Sequence, residues 1–138
     1  MPNATVRIAL AIAAGLVAAL LVVAVFEAAG HALFPPPAGL DLTRPADQAR
    51  LMEVMPVEAK IAVVAAWFLG SLAGACTAIA ISRRTLPGWI VGLTLVGLSL
   101  WTTQLLSHPA WMVVSAVVLP MIGVVLAKGL LAARTEGA

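Results

Sequence analysis

The sequence predicts an all-α membrane protein, a four-transmembrane-helix bundle with a short amphipathic helix in its outer loop. Apolar residues make up 62% of the 138 residues and charged residues only 10%, whereas a soluble domain has about a quarter charged residues. Four charge-free runs of 18 to 22 residues are long enough, or nearly so, to cross a hydrocarbon core of about 30 Å as helices. A soluble globular fold is therefore excluded.

These runs predict spans over residues 7–31, 60–82, 86–106 and 110–131, within a single domain covering 1–138. The first run resembles a signal peptide, but signal sequences have an apolar region of only about 7–15 residues. We therefore expect an uncleaved span. Backbone groups in lipid must be satisfied within each segment, and for this reason all four spans are helices.

The outer loop, residues 32–59, is the only connection with room for more than a turn. Pro45 suits the first turn of a helix, and Leu51, Val54 and Met55 follow at helical spacing. The loop therefore contains a predicted amphipathic helix from Pro45 to Met55, which lies in the membrane interface or caps the bundle.

The distribution of Lys and Arg predicts the orientation. Four spans place five cations on the side of the two termini and three on the loop side. Because cytoplasmic segments carry the excess of Lys and Arg, we expect both termini to be cytoplasmic. The five are Arg7, Arg83, Arg84, Lys128 and Arg134, and the three are Arg44, Arg50 and Lys60.

Small residues recur every fourth position along the second and third spans. Such spacing lets helix backbones approach closely in lipid, and it has two interpretations: a dimerisation face or packing inside one bundle. The expected partners are the lipid bilayer and either a second copy of the chain or a larger membrane complex. A net charge of +2 and the lack of a basic run exclude a nucleic-acid partner. The predicted packing residues are Ala66, Gly70, Gly74, Ala78, Gly88 and Gly92.

Two further features concern packing. Pro120 predicts a kink in the fourth span, where Ser115 or a neighbouring helix can bind the carbonyl that the proline leaves free.

Trp67 and Trp101 lie about a turn and a half inside the outer boundary. We expect both indole rings to pack between helices or against the loop.

Polar residues gather at the outer ends of the first and third spans. Glu27 and His31 are spaced i, i+4, and so are Gln104 and His108. The four residues form a candidate ligand or metal site with four interpretations. The first interpretation is an interfacial pair without further function, and the second is a metal site of imidazole with carboxylate or thioether ligands. The third is a b-type haem with two axial histidines, and the fourth is proton-coupled transport through Glu27. We predict no cofactor, and haem and metal remain alternatives.

No nucleophile–base pair, phosphate-binding glycine loop or carboxylate pair at working spacing is present in the sequence. We therefore predict no catalytic residue and no enzymatic activity. The expected function is that of a non-enzymatic accessory, assembly or structural subunit. The alternative is a minimal transporter, or a membrane protein that binds a small ligand or metal through the outer Glu/His cluster.

Four segments also resemble a group of small, uncharacterised bacterial membrane proteins with four transmembrane helices. The proline-rich stretch with the Gly-Leu-Asp that follows it is the most specific of them. The resemblance implies the four-span topology and a bacterial inner membrane, and it brings no activity or ligand with it. The segments are Phe26–His31, Pro35–Asp41, Gly70–Gly74 and His108–Trp111.

Overall fold

A computed structural model describes residues 3–41 and 43–136, with side chains through residue 132. The described chain is helical with short connections, and four of its five helices are long and apolar enough to cross a membrane. The predicted fold class, a multi-pass all-α bundle with a short loop helix, is confirmed. The helices are α1 (Ala4–Leu33), α2 (Pro45–Val54), α3 (Val57–Ser82), α4 (Thr85–Leu105) and α5 (Ala110–Glu136).

The long helices extend beyond the predicted spans mainly where local chemistry favours a helix end. α1 begins at Ala4 because the Asn3 side chain accepts a hydrogen bond from the backbone N–H of Val6 at 2.9 Å, which satisfies one free donor of the first turn. α3 begins at Val57, directly after Pro56, since proline at the cap needs no N–H donor.

The third helix is the centre of the bundle. It packs against α1, α4 and α5, whereas α1 and α5 do not contact each other within the described residues. Consecutive spans are antiparallel, so the bundle has two distinct ends. The loop end carries α2 and the α4–α5 connection, and the termini end carries the start of α1, the α3–α4 turn and the end of α5.

The closest helix contact joins α1 and α3 through two glycines. A Cβ atom added at Gly15 would lie 2.7 Å from the carbonyl oxygen of Gly74, and one added at Gly74 would lie 2.7 Å from that of Gly15. One turn nearer the loop end, a Cβ atom at Gly70 would lie 3.0 Å from the carbonyl oxygen of Ala19. The two backbones therefore touch without intervening side chains.

The other predicted packing residues also face neighbours in the same chain. Gly88 of α4 packs against Ile79 of α3, and Gly92 contacts Val124 of α5. Ala66 and Ala78 are buried. All six predicted packing residues are thus buried or in contact with neighbours within one bundle. None of them therefore provides a free face for a second copy.

Hydroxyl groups of neighbouring helices bind the α5 backbone around Pro120, which lies inside a continuous helix. Pro120 has no N–H, so the carbonyl of Ala116 has no donor four residues ahead. The Ser99 hydroxyl of α4 lies 2.9 Å from that oxygen, and the Ser71 hydroxyl of α3 donates to the Pro120 carbonyl at 2.8 Å. Ser115, the alternative within α5, instead donates to its own turn at the Trp111 carbonyl.

Gly74→Leu should separate α1 from α3. The new side chain would meet the carbonyl oxygen of Gly15, and overpacking of this kind costs about 1–3 kcal/mol or more. The measurement is thermal unfolding in detergent, followed by size-exclusion chromatography. Gly97→Leu is the matched control, because a Cβ atom at Gly97 has no neighbour within 4 Å. Equal stability of the two variants would contradict the backbone contact.

Ser99→Ala should lower the free energy of unfolding by about 1–2 kcal/mol, because it leaves the Ala116 carbonyl buried without a donor. Ser99 also lies near the Leu95 and Val96 carbonyls, which have backbone donors in their own helix. Unfolding in mixed micelles measures the effect. Ser115→Ala removes a hydroxyl that bonds only within its own turn and should cost much less, so equal losses would rule out the interhelical bond.

Candidate functional site

A cavity of about 250 Å³ lies at the loop end, enclosed by α1, α2, α3 and the end of α4. We call it the loop-end cavity. Its walls are mainly aromatic and aliphatic, with few polar side chains. The described lining residues are Phe26, Glu27, Gly30, His31, Phe34, Leu51, Met52, Met55, Ala59, Ala62, Val63, Trp67, Thr102, Leu106 and His108.

The loop helix α2 covers this cavity through its apolar side. Leu51 and Met52 are buried and line the cavity, while Glu53 and Val54 on the same helix are exposed. Among the described residues, no Cα atom of α2 lies within 8 Å of a Cα atom in another helix. The helix therefore rests on the bundle through long side chains rather than through backbone contact.

A network of hydrogen bonds around Asp41 positions the start of α2. The Asp41 backbone N–H donates to the Asp47 carboxylate at 3.0 Å, and the Asp41 carboxylate accepts bonds from the Thr43 backbone and hydroxyl. Arg44 forms an ion pair with the same carboxylate at 3.2 Å. The bonds from Thr43 lower the pKa of Asp41. The stability that these bonds give the folded loop is therefore present above the ordinary pKa of aspartate, and it is lost as the pH falls through the lowered pKa.

Both histidines donate from Nδ1 to a backbone carbonyl. His31 Nδ1 lies 2.9 Å from the carbonyl oxygen of Glu27, and His108 Nδ1 lies 2.6 Å from that of Leu106. A carbonyl only accepts, so in each of these bonds Nδ1 carries the proton. The His108 ring also packs beside Trp67, with ring centroids 6.2 Å apart.

Three of the four predicted site residues line one cavity. Glu27, His31 and His108 belong to its wall, whereas Gln104 is exposed and lies outside the described lining. The i, i+4 argument for Gln104 and His108 is wrong because α4 ends at Leu105, so His108 lies beyond the helix. On α1 the spacing brings His31 to the Glu27 backbone carbonyl.

The geometry gives no support to a metal or haem site. Among the described residues, no three His, Cys, Asp or Glu side chains lie close enough to hold a metal ion. The cavity volume of about 250 Å³ is below the roughly 300–1,000 Å³ of sites that enclose a drug-sized ligand. In this conformation the cavity is therefore too small to enclose a haem, and it suits a small molecule.

The predicted packing of the tryptophans is confirmed for Trp67 and wrong for Trp101. Trp67 is buried beside His108 and lines the cavity, which agrees with the expected packing. Trp101 is 66% exposed, so the same expectation is wrong for this residue. The distance from the membrane boundary gives the depth of a side chain but not the side of the helix on which it lies.

No family model, curated protein or solved structure matches this chain. The fold defines its class as a multi-pass membrane protein with four spanning helices.

Met52→Ala should loosen α2 from the bundle, because the Met52 side chain is only 6% exposed and α2 has no backbone contact to replace it. A loss of about 2 kcal/mol would raise the opening equilibrium about thirtyfold. Hydrogen exchange of the α2 amides measures it. Val54→Ala, on the exposed side of the same helix, should change exchange little, and equal exchange in the two variants would show that α2 does not dock through Met52.

Proposed function

We propose that this chain is a small, non-enzymatic inner-membrane protein that binds a small organic cation with an apolar body in the loop-end cavity. Among the described lining residues, Glu27 is the only carboxylate, and neither Lys nor Arg is present. This charge pattern in an otherwise apolar cavity is the observation that carries the proposal.

The walls supply the interactions that such a cation needs. Phe26, Phe34 and Trp67 line the cavity, and the faces of aromatic rings attract cations. The Glu27 carboxylate provides the opposite charge at the exposed side of the cavity. Because Trp67 is only 4% exposed, the deep part of the cavity favours the apolar body of the ligand.

The hydroxyl and the imidazoles of the cavity are unsuited to covalent catalysis. The Thr102 hydroxyl donates to the Ser99 carbonyl at 2.7 Å, so its proton is held by the backbone rather than by a base. The histidines hold their Nδ1 protons on carbonyls in the same way. A nucleophile needs a base within hydrogen-bond reach, and this arrangement supports binding without reaction.

A second candidate function is the accessory or assembly subunit predicted from the sequence. It is favoured by the exposure of α1. Only 17% of the 18-residue apolar segment of α1 is buried, compared with 33–50% of the corresponding segments of the other spans. Its buried residues are Ala11, Gly15 and Ala19, a single stripe against the bundle. The rest of α1 is available to lipid, to a partner helix or to a second copy.

The proposal includes a bacterial inner membrane and cytoplasmic termini. Arg7, Arg83, Arg84 and Lys128 lie at the termini end, and Arg134 belongs to the part of α5 whose side chains are not described. The excess of cations at this end supports a cytoplasmic location. In this orientation the loop-end cavity faces the periplasm.

Benzyltrimethylammonium should bind the purified protein about tenfold or more tightly than phenylmethanesulfonate, which has a similar apolar body and the opposite charge. Equilibrium dialysis against protein-free micelles measures both affinities. Glu27→Gln should weaken binding of the cation about tenfold, because it removes the carboxylate and keeps the shape.

The matched control is Glu53→Gln. Glu53 is a carboxylate at the same end of the bundle, but it is exposed and lies outside the described cavity lining. Its substitution should leave the affinity within about twofold, since water and salt screen the charge of an exposed side chain outside the cavity. Equal binding of the cation and the anion, or equal losses in the two variants, would refute a cation site at Glu27.

A further inference from the structure

A second cavity, of about 430 Å³, lies at the termini end between the end of α3, the α3–α4 turn and α5. Its described lining includes three cationic residues, Arg83, Arg84 and Lys128, and no acidic residue. All three are exposed. The charge of this termini-end cavity is therefore opposite to that of the loop-end cavity.

The α3–α4 turn holds the two arginines in place. α3 ends at Ser82 and α4 begins at Thr85, so the arginines form the whole connection. The Arg84 backbone N–H donates to the Ser82 hydroxyl at 3.1 Å, and that hydroxyl also lies 2.7 Å from the Ala78 carbonyl. Arg83 has a left-handed backbone, with φ of 55°, which closes the turn directly after α3.

The helix ends add a smaller field. Arg84 precedes α4 and Thr85 is its first residue, and both line the cavity, so the positive end of the α4 dipole lies beside the cavity. The end of α3 contributes the opposite sign, and each helix end is equivalent to about half a charge. The two helix ends roughly cancel, and the three cationic side chains determine the sign of the potential.

Apart from Thr85, the remaining wall of the cavity is apolar. Ile79 of α3 and Leu131 of α5 line it, together with two alanines. A cationic rim thus lies directly beside an aliphatic surface at the point where three spans end. This arrangement of a charged rim beside an aliphatic surface matches a phospholipid, in which a charged head group continues into acyl chains.

We propose that the termini-end cavity binds the phosphate-bearing head of an anionic phospholipid. Arg84 and Lys128 contact the phosphate oxygens, and the first acyl carbons lie against Ile79 and Leu131. Basic pockets between transmembrane helices bind such heads. An aliphatic wall contributes nothing to the binding of a free phosphate ion, which is why the lipid is the favoured occupant. The inference does not depend on the cation proposed for the loop-end cavity.

The test compares phosphatidylglycerol with phosphatidylcholine of the same acyl chains, added to the delipidated full-length protein and measured by native mass spectrometry. The wild type should bind phosphatidylglycerol about tenfold or more tightly, since each cation near a membrane surface is worth a factor of about five. The double variant Arg84→Gln, Lys128→Gln should bind the two lipids equally. Lys128→Arg should retain the preference, because it keeps the charge.

Arg7→Gln is the matched control. Arg7 is an exposed cation at the same end, on α1, and lies outside the described lining of the cavity. This variant should keep its preference for phosphatidylglycerol within about twofold of the wild type, since an exposed charge outside the cavity is screened. Circular dichroism and size-exclusion chromatography verify that each variant is folded.

Three results would overturn the proposal. Equal binding of the two lipids by the wild type would show that the head group is not recognised. An equal loss in Arg7→Gln would show that binding follows net charge rather than this cavity. Competition by millimolar inorganic phosphate that displaces the lipid completely would identify a free-anion site.

Discussion

The bundle depends on the close contact between α1 and α3 at Gly15 and Gly74. Lipid chains are as apolar as leucine, so helices in a bilayer associate through close packing and hydrogen bonds rather than through the hydrophobic effect. The glycine pair lets each backbone reach the carbonyl of the other. α3 then accepts α5 on another side, where the Ser71 hydroxyl binds the Pro120 carbonyl. The proline-containing helix α5 is thereby attached to the same central element.

The same preference for small residues creates the loop-end cavity. Ala59 and Ala62 of α3 and Gly30 of α1 line it, and Gly30 has no backbone close to it of the kind that Gly15 meets at Gly74. A Cβ atom at Gly30 would have no neighbour within 4 Å. Small side chains therefore give tight packing at Gly15 and Gly74 and leave an open space at the loop end, where the Leu51 and Met52 side chains of α2 cover part of it.

Composition and run length were sufficient to predict the class of fold, the spans and α2, because these depend on depth in the bilayer and on helix-breaking residues. Rotation about each helix axis was harder to predict. Trp101 and Gln104 both face outward despite their different depths. Because α4 ends before His108, the i, i+4 spacing does not bring Gln104 and His108 to one helix face. The role of Gly15 was also missed, although Ala11, Gly15 and Ala19 repeat every fourth residue, a signal that was available in the first span.

The interior between the two cavities is closely packed. Gly15 and Gly74 leave no space between α1 and α3 at mid-bundle, and Val91 fills the adjoining position without any exposure. The buried hydroxyls of this region, such as Ser71 and Ser99, donate to backbone carbonyls, and no buried side-chain polar atom among the described residues lacks a partner. A transport path needs polar groups that can exchange partners with a moving ligand or proton. Here each end has its own charged cavity, and the apolar contact between them separates the two.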